Sequence, residues 1–287
     1  MSSYRIHPEA HMGRVQLKVS QIERSVHFYS EVIGLELLAR TEKTAEFGAG
    51  GSEVLLGIEE VPQAQIMRPQ SVTGLYHFAI LLPDRAALGT TLRHLAETGM
   101  SIGQGDHLVS EAFYLNDPDG NGIEIYADRP RSQWQKDAKG EYVMATDPVD
   151  VESLLKLAGA WNGLPSGTVI GHVHLHVGNL SDARKFYVDG LGFDVVLHFG
   201  NAALFVSAGG YHHHMGLNTW AGVGAPAAPA NAVGLKYFTI VYPNAGERDQ
   251  AVTALREAGI EVADTPEGPS ALDPFGNRAV LVTASLS

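Results

Sequence analysis

The sequence predicts an α+β fold assembled from four βαβββ modules, and three observations carry that reading. The chain repeats itself at an offset of 158 residues, GRVQLKVSQIERSVHFYSEVIGLELL from Gly13 against GHVHLHVGNLSDARKFYVDGLGFDVV from Gly171. A second pair recurs at nearly the same offset, GLYHFAILLPD from Gly74 against GLKYFTIVYPN from Gly234. Both halves then close on a turn and a strand, NDPDGNGIEIY at 116–126 and LDPFGNRAVLV at 272–282. Self-similarity at a fixed spacing marks a repeated supersecondary unit.

Each module can be justified in order. The first and third open on a glycine and an alternating run, VQLKV or VHLHV, whose period of two marks a strand with one buried face. A turn, a helix carrying Phe-Tyr and a Gly-Leu or Gly-Phe entry to another strand follow. The second and fourth carry helices at LRHLAETG (92–99) and VTALREAG (252–259). Asp-Pro-Asp-Gly-Asn-Gly at 117–122 is a strong turn signal between two strands. The segment from about 128 to 168 is rich in Pro, Lys, Asp and Gly, breaks the pattern and holds one helical stretch, VDVESLLKLAGAW. The expected division is modules 1 and 2 in 1–130, a linker with a short helix at 131–166, and modules 3 and 4 in 167–287. DRPRSQW at 128–134 reads as a cap on the second module, and GVGAPAAPANAVG at 222–234 as a connector, with a lid as the alternative.

Composition narrows the function. With 287 residues, 45% of them hydrophobic, the chain can bury an ample core. The lack of cysteine excludes disulfides, thiolate ligands and a cysteine nucleophile. A net charge of −12 argues against phosphate-backbone binding, which needs clustered Lys and Arg. A small molecule is the expected partner. The start, MSSYRIHPEAHMG, has no apolar signal region and no stretch of about 18 apolar residues follows, so a cytoplasmic protein without membrane spans is expected.

Four βαβββ modules, with Gly-His opening a strand, Phe-Tyr on the first helix and DPDGNxIE closing a module, resemble the vicinal oxygen chelate superfamily of glyoxalases, bleomycin-resistance proteins and extradiol dioxygenases. The resemblance runs over nearly the whole chain apart from the linker and is strongest to two-domain catechol 2,3-dioxygenase-like proteins. It implies that paired modules form two curled-sheet cups around a divalent metal, with ligands on the first and last strands of a module. The first-strand positions are Arg14, His77, His172 and Tyr237 in modules one to four, and the last-strand positions of the second and fourth are Glu124 and Val280. The implied ligands are therefore His77, Glu124 and His172. Taken alone, His77 in an apolar strand reads more readily as a core histidine. Glu124 is harder to dismiss, because it faces away from Ile123 and Ile125 and buried carboxylates are rare unless paired or metal-bound.

Two imidazoles and a carboxylate on one side of a cation leave the opposite positions free, as non-haem Fe(II) oxygenases require. The resemblance thus implies an Fe(II)-dependent extradiol dioxygenase, with Mn(II) as the alternative metal, acting on a catechol-type aromatic diol with O2. His174 and His176 share a strand face with His172, but only His172 stands at the family position. Within the run His212-His213-His214, the resemblance points to His214 as the acid–base group. Tyr114, ten residues ahead of Glu124, is implied to hydrogen-bond the deprotonated diol oxygen, and His107 is a further cup candidate. The rival readings are a glyoxalase-type isomerase or lyase and a non-enzymatic small-molecule-binding protein; homo-oligomer formation is left open. One departure stands out, since the dioxygenase pattern takes its ligands from the third and fourth modules. Here the second and third must pair across the linker, with the first and fourth as a cup lacking ligands, or two chains must share the site. Pairing within one chain is the favoured expectation.

Overall fold

A computed structural model describes residues 4–284. Module 1 comprises β1 (His11–Val19), α1 (Ile22–His27) running on through a π-helical segment at Phe28–Ile33, β2 (Glu36–Arg40), β3 (Thr44–Gly48) and β4 (Leu56–Glu60). Module 2 comprises β5 (Gly74–Leu82), α2 (Arg85–Glu97), β6 (Gly103–Asp106), β7 (Ser110–Asn116) and β8 (Gly122–Asp128). The intervening segment carries a short helix, α3 (Val151–Lys156). Module 3 comprises β9 (Val169–His176), α4 (Leu180–Arg184) with a π-helical continuation at Lys185–Gly190, β10 (Asp194–Phe199), β11 (Ala203–Ser207) and β12 (Met215–Asn218). Module 4 comprises β13 (Gly234–Tyr242), α5 (Ala245–Glu257), β14 (Ala263–Thr265), β15 (Gly268–Leu272) and β16 (Arg278–Thr283).

The modules join into two eight-stranded sheets, ordered β14-β15-β16-β13-β1-β4-β3-β2 and β10-β11-β12-β9-β5-β8-β7-β6. Module 1 is thus hydrogen-bonded to module 4 through antiparallel β1 and β13, and module 2 to module 3 through antiparallel β5 and β9. Each contiguous half of the chain gives one module to each sheet. The sheets meet at their central strands, β1 against β9. One continuous apolar core, running from Val15 and Leu17 to Phe78, Ile125, Leu175 and Phe238, serves both.

The repeated Asp-Pro-x-Gly-Asn turn has a structural reason. Asp117 accepts bonds from the backbone N–H groups of Asp119 (2.9 Å) and Asn121 (2.8 Å) and from the Asn121 side chain (2.8 Å). Its remaining capacity takes the buried Tyr29 hydroxyl at 2.8 Å, from module 1. Asp119 beside it receives the backbone N–H and hydroxyl of Ser20 and the Arg24 guanidinium. The first helix of module 1 therefore clasps the last turn of module 2, and so fastens one sheet to the other. Tyr187 repeats the arrangement on Asp273 at 2.9 Å. Burial, and then the Asp117 charge, push the Tyr29 hydroxyl well above its ordinary pKa, so it remains a donor.

Removing that donor leaves a buried carboxylate oxygen short of a partner, which costs about 1–2 kcal/mol. Tyr29→Phe and Tyr187→Phe are expected to lower stability by roughly this amount each, read as a shift of the urea midpoint with an unchanged slope.

Candidate metal centre

The site is assembled by register. Ala79 of β5 stands opposite Glu124 on parallel β8 and opposite His172 on antiparallel β9, while Tyr114 of β7 stands opposite Glu124. Tyr114, Glu124, Ala79 and His172 thus form one row across four strands. His77 lies two residues before Ala79, on the same face by strand alternation. The methyl of Ala79 is the smallest side chain in the row, and it leaves the space above it to its three neighbours.

Those neighbours converge. His77 Nε2 lies 3.0 Å from Glu124 Oε2, His172 Nε2 lies 3.1 Å from the same oxygen, and the two Nε2 atoms are 3.3 Å apart. The exposures are 6% for His77, 3% for Glu124 and 1% for His172, so all three donors are withdrawn from solvent. A cation about 2.1 Å from each of three donors set at right angles would hold them about 3.0 Å apart. The triangle fits a divalent ion grasped from one side, and two nitrogens with one carboxylate oxygen are a donor set for iron, manganese or zinc.

Electrostatics keep the donors available. Burial opposes ionisation of Glu124, but its pairing with His172 and His77 outweighs that and holds the carboxyl well below its usual range. Burial lowers His172 to about 4, against the pull of Glu124, so its imidazole is neutral at neutral pH. The backbone makes room for that ring. Pairing of β5 with β9 skips Gly171, and a Cβ there would collide with the Tyr126 hydroxyl, whose ring lies 4.9 Å from His172. Glycine at an irregular strand position commonly marks such a close approach.

His107 and Tyr114 stand together beside this centre. His107 Nδ1 lies 2.7 Å from the Ala145 carbonyl, which can only accept, so Nδ1 carries the proton. His107 Nε2 is then the acceptor, and it receives the Tyr114 hydroxyl at 2.6 Å. The Tyr114 ring centroid is 5.7 Å from that of His77.

The histidine run divides unexpectedly. His213, rather than His214, lies against the triad, its ring centroid 4.2 Å from that of His172. Behind it, His213 Nδ1 meets His212 Nδ1 at 2.8 Å, and His212 Nε2 meets Asp128 Oδ1 at 2.8 Å. His214 instead accepts the Ala208 N–H through Nδ1 at 3.1 Å and packs its ring on Tyr211. The run lies between β11 and β12 rather than on either strand, so strand alternation does not govern which face each ring takes.

Two further contributions go beyond the sequence signal, which for the second was only a polar cap read at 128–134. Pairing of β5 with β9 also skips Tyr76, and this bulge turns Tyr76 toward His174, His176 and Trp220, with centroid distances of 5.1, 5.1 and 5.2 Å. The segment after β8, in turn, straps the sheet from edge to edge. Asp147 pairs with Asp106 of β6 at 3.0 and 2.8 Å, and Tyr142 N–H donates to Val196 of β10 at 3.0 Å. Trp134 and Tyr142 pack beneath the strap against Phe205, Val196 and Ala203.

The fold and donor set have known counterparts. The family model of the Glyoxalase/Bleomycin resistance protein/Dioxygenase superfamily matches residues 11–125 and 169–281, and the chain belongs to that superfamily. The catechol-2,3-dioxygenase of Bacillus subtilis (strain 168) is 53% identical over 278 residues, covering 96% of this chain and 98% of its own. At that level of likeness the chain is an enzyme of the extradiol dioxygenase kind. Among solved structures, a candidate dioxygenase of Bacillus subtilis superposes with a TM-score of 0.67 at 10% identity, covering 98% of this chain and 87% of its own. Glyoxalase I from Zea mays superposes at 0.57 with 18% identity, covering 95% and 92% of the two chains. These two likenesses show the fold.

Two outcomes follow for the metal centre. Ala79→Leu fills the space above the row and is expected to weaken metal retention at least tenfold, read by competition with a chromogenic chelator, while small core changes elsewhere leave it intact. The second concerns acid. Burial lowers His172 to about 4 and His214 to about 3, so below the unfolded value near 6.5 the unfolded chain binds more protons than the folded one. Stability of the metal-free protein is therefore full above pH 6.5 and falls as pH drops toward 3, by on the order of 3 kcal/mol for His172 and 5 kcal/mol for His214 across their windows. Urea midpoints across that range check it; a flat profile is the contrary result.

Proposed function

We propose that the chain is an Fe(II)-dependent dioxygenase that opens the ring of a catechol-type aromatic diol beside its hydroxyl groups, consuming O2, in the cytoplasm. The observation that carries this reading is the buried face of two imidazoles and one carboxylate within 3.3 Å of one another. The name of the Bacillus subtilis relative, a catechol-2,3-dioxygenase, supports it. Ferrous iron, when bound, supplies open positions for the diol and for O2 and lets electrons pass between them.

The residues around the centre have separable tasks. His77, Glu124 and His172 hold the ion; two neutral imidazoles and one carboxylate leave it one net positive charge, which favours a diol that has lost one proton. Tyr114 donates its own proton to His107, so its hydroxyl oxygen is left to act as an acceptor for a diol hydroxyl. The strap takes part in this, because Ala145 fixes which nitrogen of His107 accepts. On the other side, the carboxylate of Asp128 takes the His212 Nε2–H, which leaves His212 Nδ1 as acceptor for His213 Nδ1–H. His213 Nε2 is then an unprotonated acceptor beside His172, placed to take a proton from the diol and return it to the opening ring. In this reading the acid–base role falls to His213, and His214 supports the loop.

Iron-loaded protein is expected to take up O2 with catechol and to yield a yellow ring-opened product. His213→Phe is expected to lower kcat about a hundredfold with iron content retained, and His214→Phe by less than tenfold. An oxygen electrode, with iron measured on the same samples, tests both. The proposal fails if no simple catechol supports O2 uptake by the iron-loaded protein.

A further inference from the structure

The centre opens on a cavity of about 950 Å3, with His77 and Tyr114 among its lining. Pockets of this volume suit ligands of drug size, whereas an unsubstituted catechol is a single ring with two oxygens. The space calls for a substrate with more than the ring, and the walls indicate what the remainder carries.

The charge of the lining is opposite to that of the molecule. Against a net charge of −12, the side chains around the cavity include Lys18, Arg68, Lys236 and Arg278. The carboxylate among them, Asp119, is already matched by Arg24 and Ser20. Lys236 is matched by Glu59, and Arg278 donates to Ser270 Oγ at 3.0 Å. Among the described residues neither Arg68 nor Lys18 makes a direct ion pair. Lys18 donates to the neutral Ala230 carbonyl at 3.1 Å and shares the field of Glu59 with Lys236. Burial and the nearby Lys236 ammonium lower the pKa of Lys18, against the opposing pull of Glu59.

We propose that the diol substrate carries an organic carboxylate side chain, which Arg68 and Lys18 hold in the outer cavity while its ring reaches His77 and Tyr114. This rests on the ring-cleaving reading and adds the substrate class to it. A guanidinium receives a carboxylate through two parallel N–H bonds, and a free ammonium adds a point charge; together they fix orientation as well as affinity. Both contacts are made before and after ring opening, so they act on binding and leave the chemical step alone.

The test compares 3,4-dihydroxyphenylacetate with its methyl ester, which keeps the ring and removes the charge. Binding to the iron-loaded protein is measured by calorimetry without oxygen, and kcat and KM with oxygen. The acid is expected to bind about tenfold tighter than the ester, the scale of one charge-assisted contact at a half-exposed site, and the preference lies in KM. Arg68→Gln and Lys18→Gln each bring the acid-to-ester ratio toward one, and Arg68→Glu inverts it. Equal binding of acid and ester, or a ratio indifferent to Arg68→Glu, overturns the proposal. The two readings fail separately: a charge preference in calorimetry without O2 uptake removes ring cleavage and leaves the anion site. O2 uptake with equal affinities does the reverse.

Discussion

The antiparallel pairing of β5 with β9 is the constraint on which the site depends. It joins strands from modules separated by the whole linker and sets His172 opposite Ala79, with Glu124 on the other flank. Side chains alternate along a strand, so a slip of one residue would turn His172 to the far face and leave Glu124 buried without its partner. A buried carboxylate stripped of its counter-groups is expensive, so the electrostatics of the triad and the register of the sheet reinforce each other. The two skipped residues, Tyr76 and Gly171, show how closely this register is adjusted. One brings an aromatic ring round to the cup, and the other lets the Tyr126 hydroxyl approach the backbone beneath His172.

Closure of the cup comes from a segment that belongs to neither module. The strap from Arg129 to Asp147 bonds to β6 on one edge and β10 on the other, which are the two outermost strands of this sheet. Edge strands offer unpaired backbone groups, and covering them is one way a half-barrel avoids sticking to its neighbours. The same strap orients His107 through the Ala145 carbonyl, so the element that finishes the sheet also sets the tautomer of a group at the centre.

Much of this was legible in the sequence, and the exceptions share one cause. The four modules follow from a repeat whose strands alternate regularly, and the resemblance to the superfamily supplied the positions of His77, Glu124 and His172 and, with them, the expected pairing of the second module with the third. Where alternation breaks, the reading loses its footing. Tyr76 sits at a bulge, and adjacency to His77 would otherwise have sent it to the opposite face. His212, His213 and His214 sit between strands, where hydrogen bonds to Asp128 and Ala208 decide the direction of each ring. The strap has no repeat partner, and its contacts with Val196 and Asp106 span distances in sequence that local patterns do not encode.

The second sheet fills the corresponding place differently. At the matching place in module 1 stands Arg14, whose guanidinium pairs with Glu46 at 2.8 Å and bonds Gln16, while its backbone N–H donates to Thr239 at 2.7 Å. Gln16 in turn stands opposite Tyr237, and a Cβ at Gly57 would collide with Gln16 and Arg14. A covalently attached cation thus satisfies the Glu46 carboxylate, where the other sheet gathers three donors around an open place. An ion pair of this kind needs no exchangeable ligand and leaves no vacant position for a substrate. The fold tolerates either solution, because the modules are held together by apolar core and by the Tyr29–Asp117 and Tyr187–Asp273 clasps. The polar face is thus filled by an ion pair in one sheet and carries a set of donors for chemistry in the other.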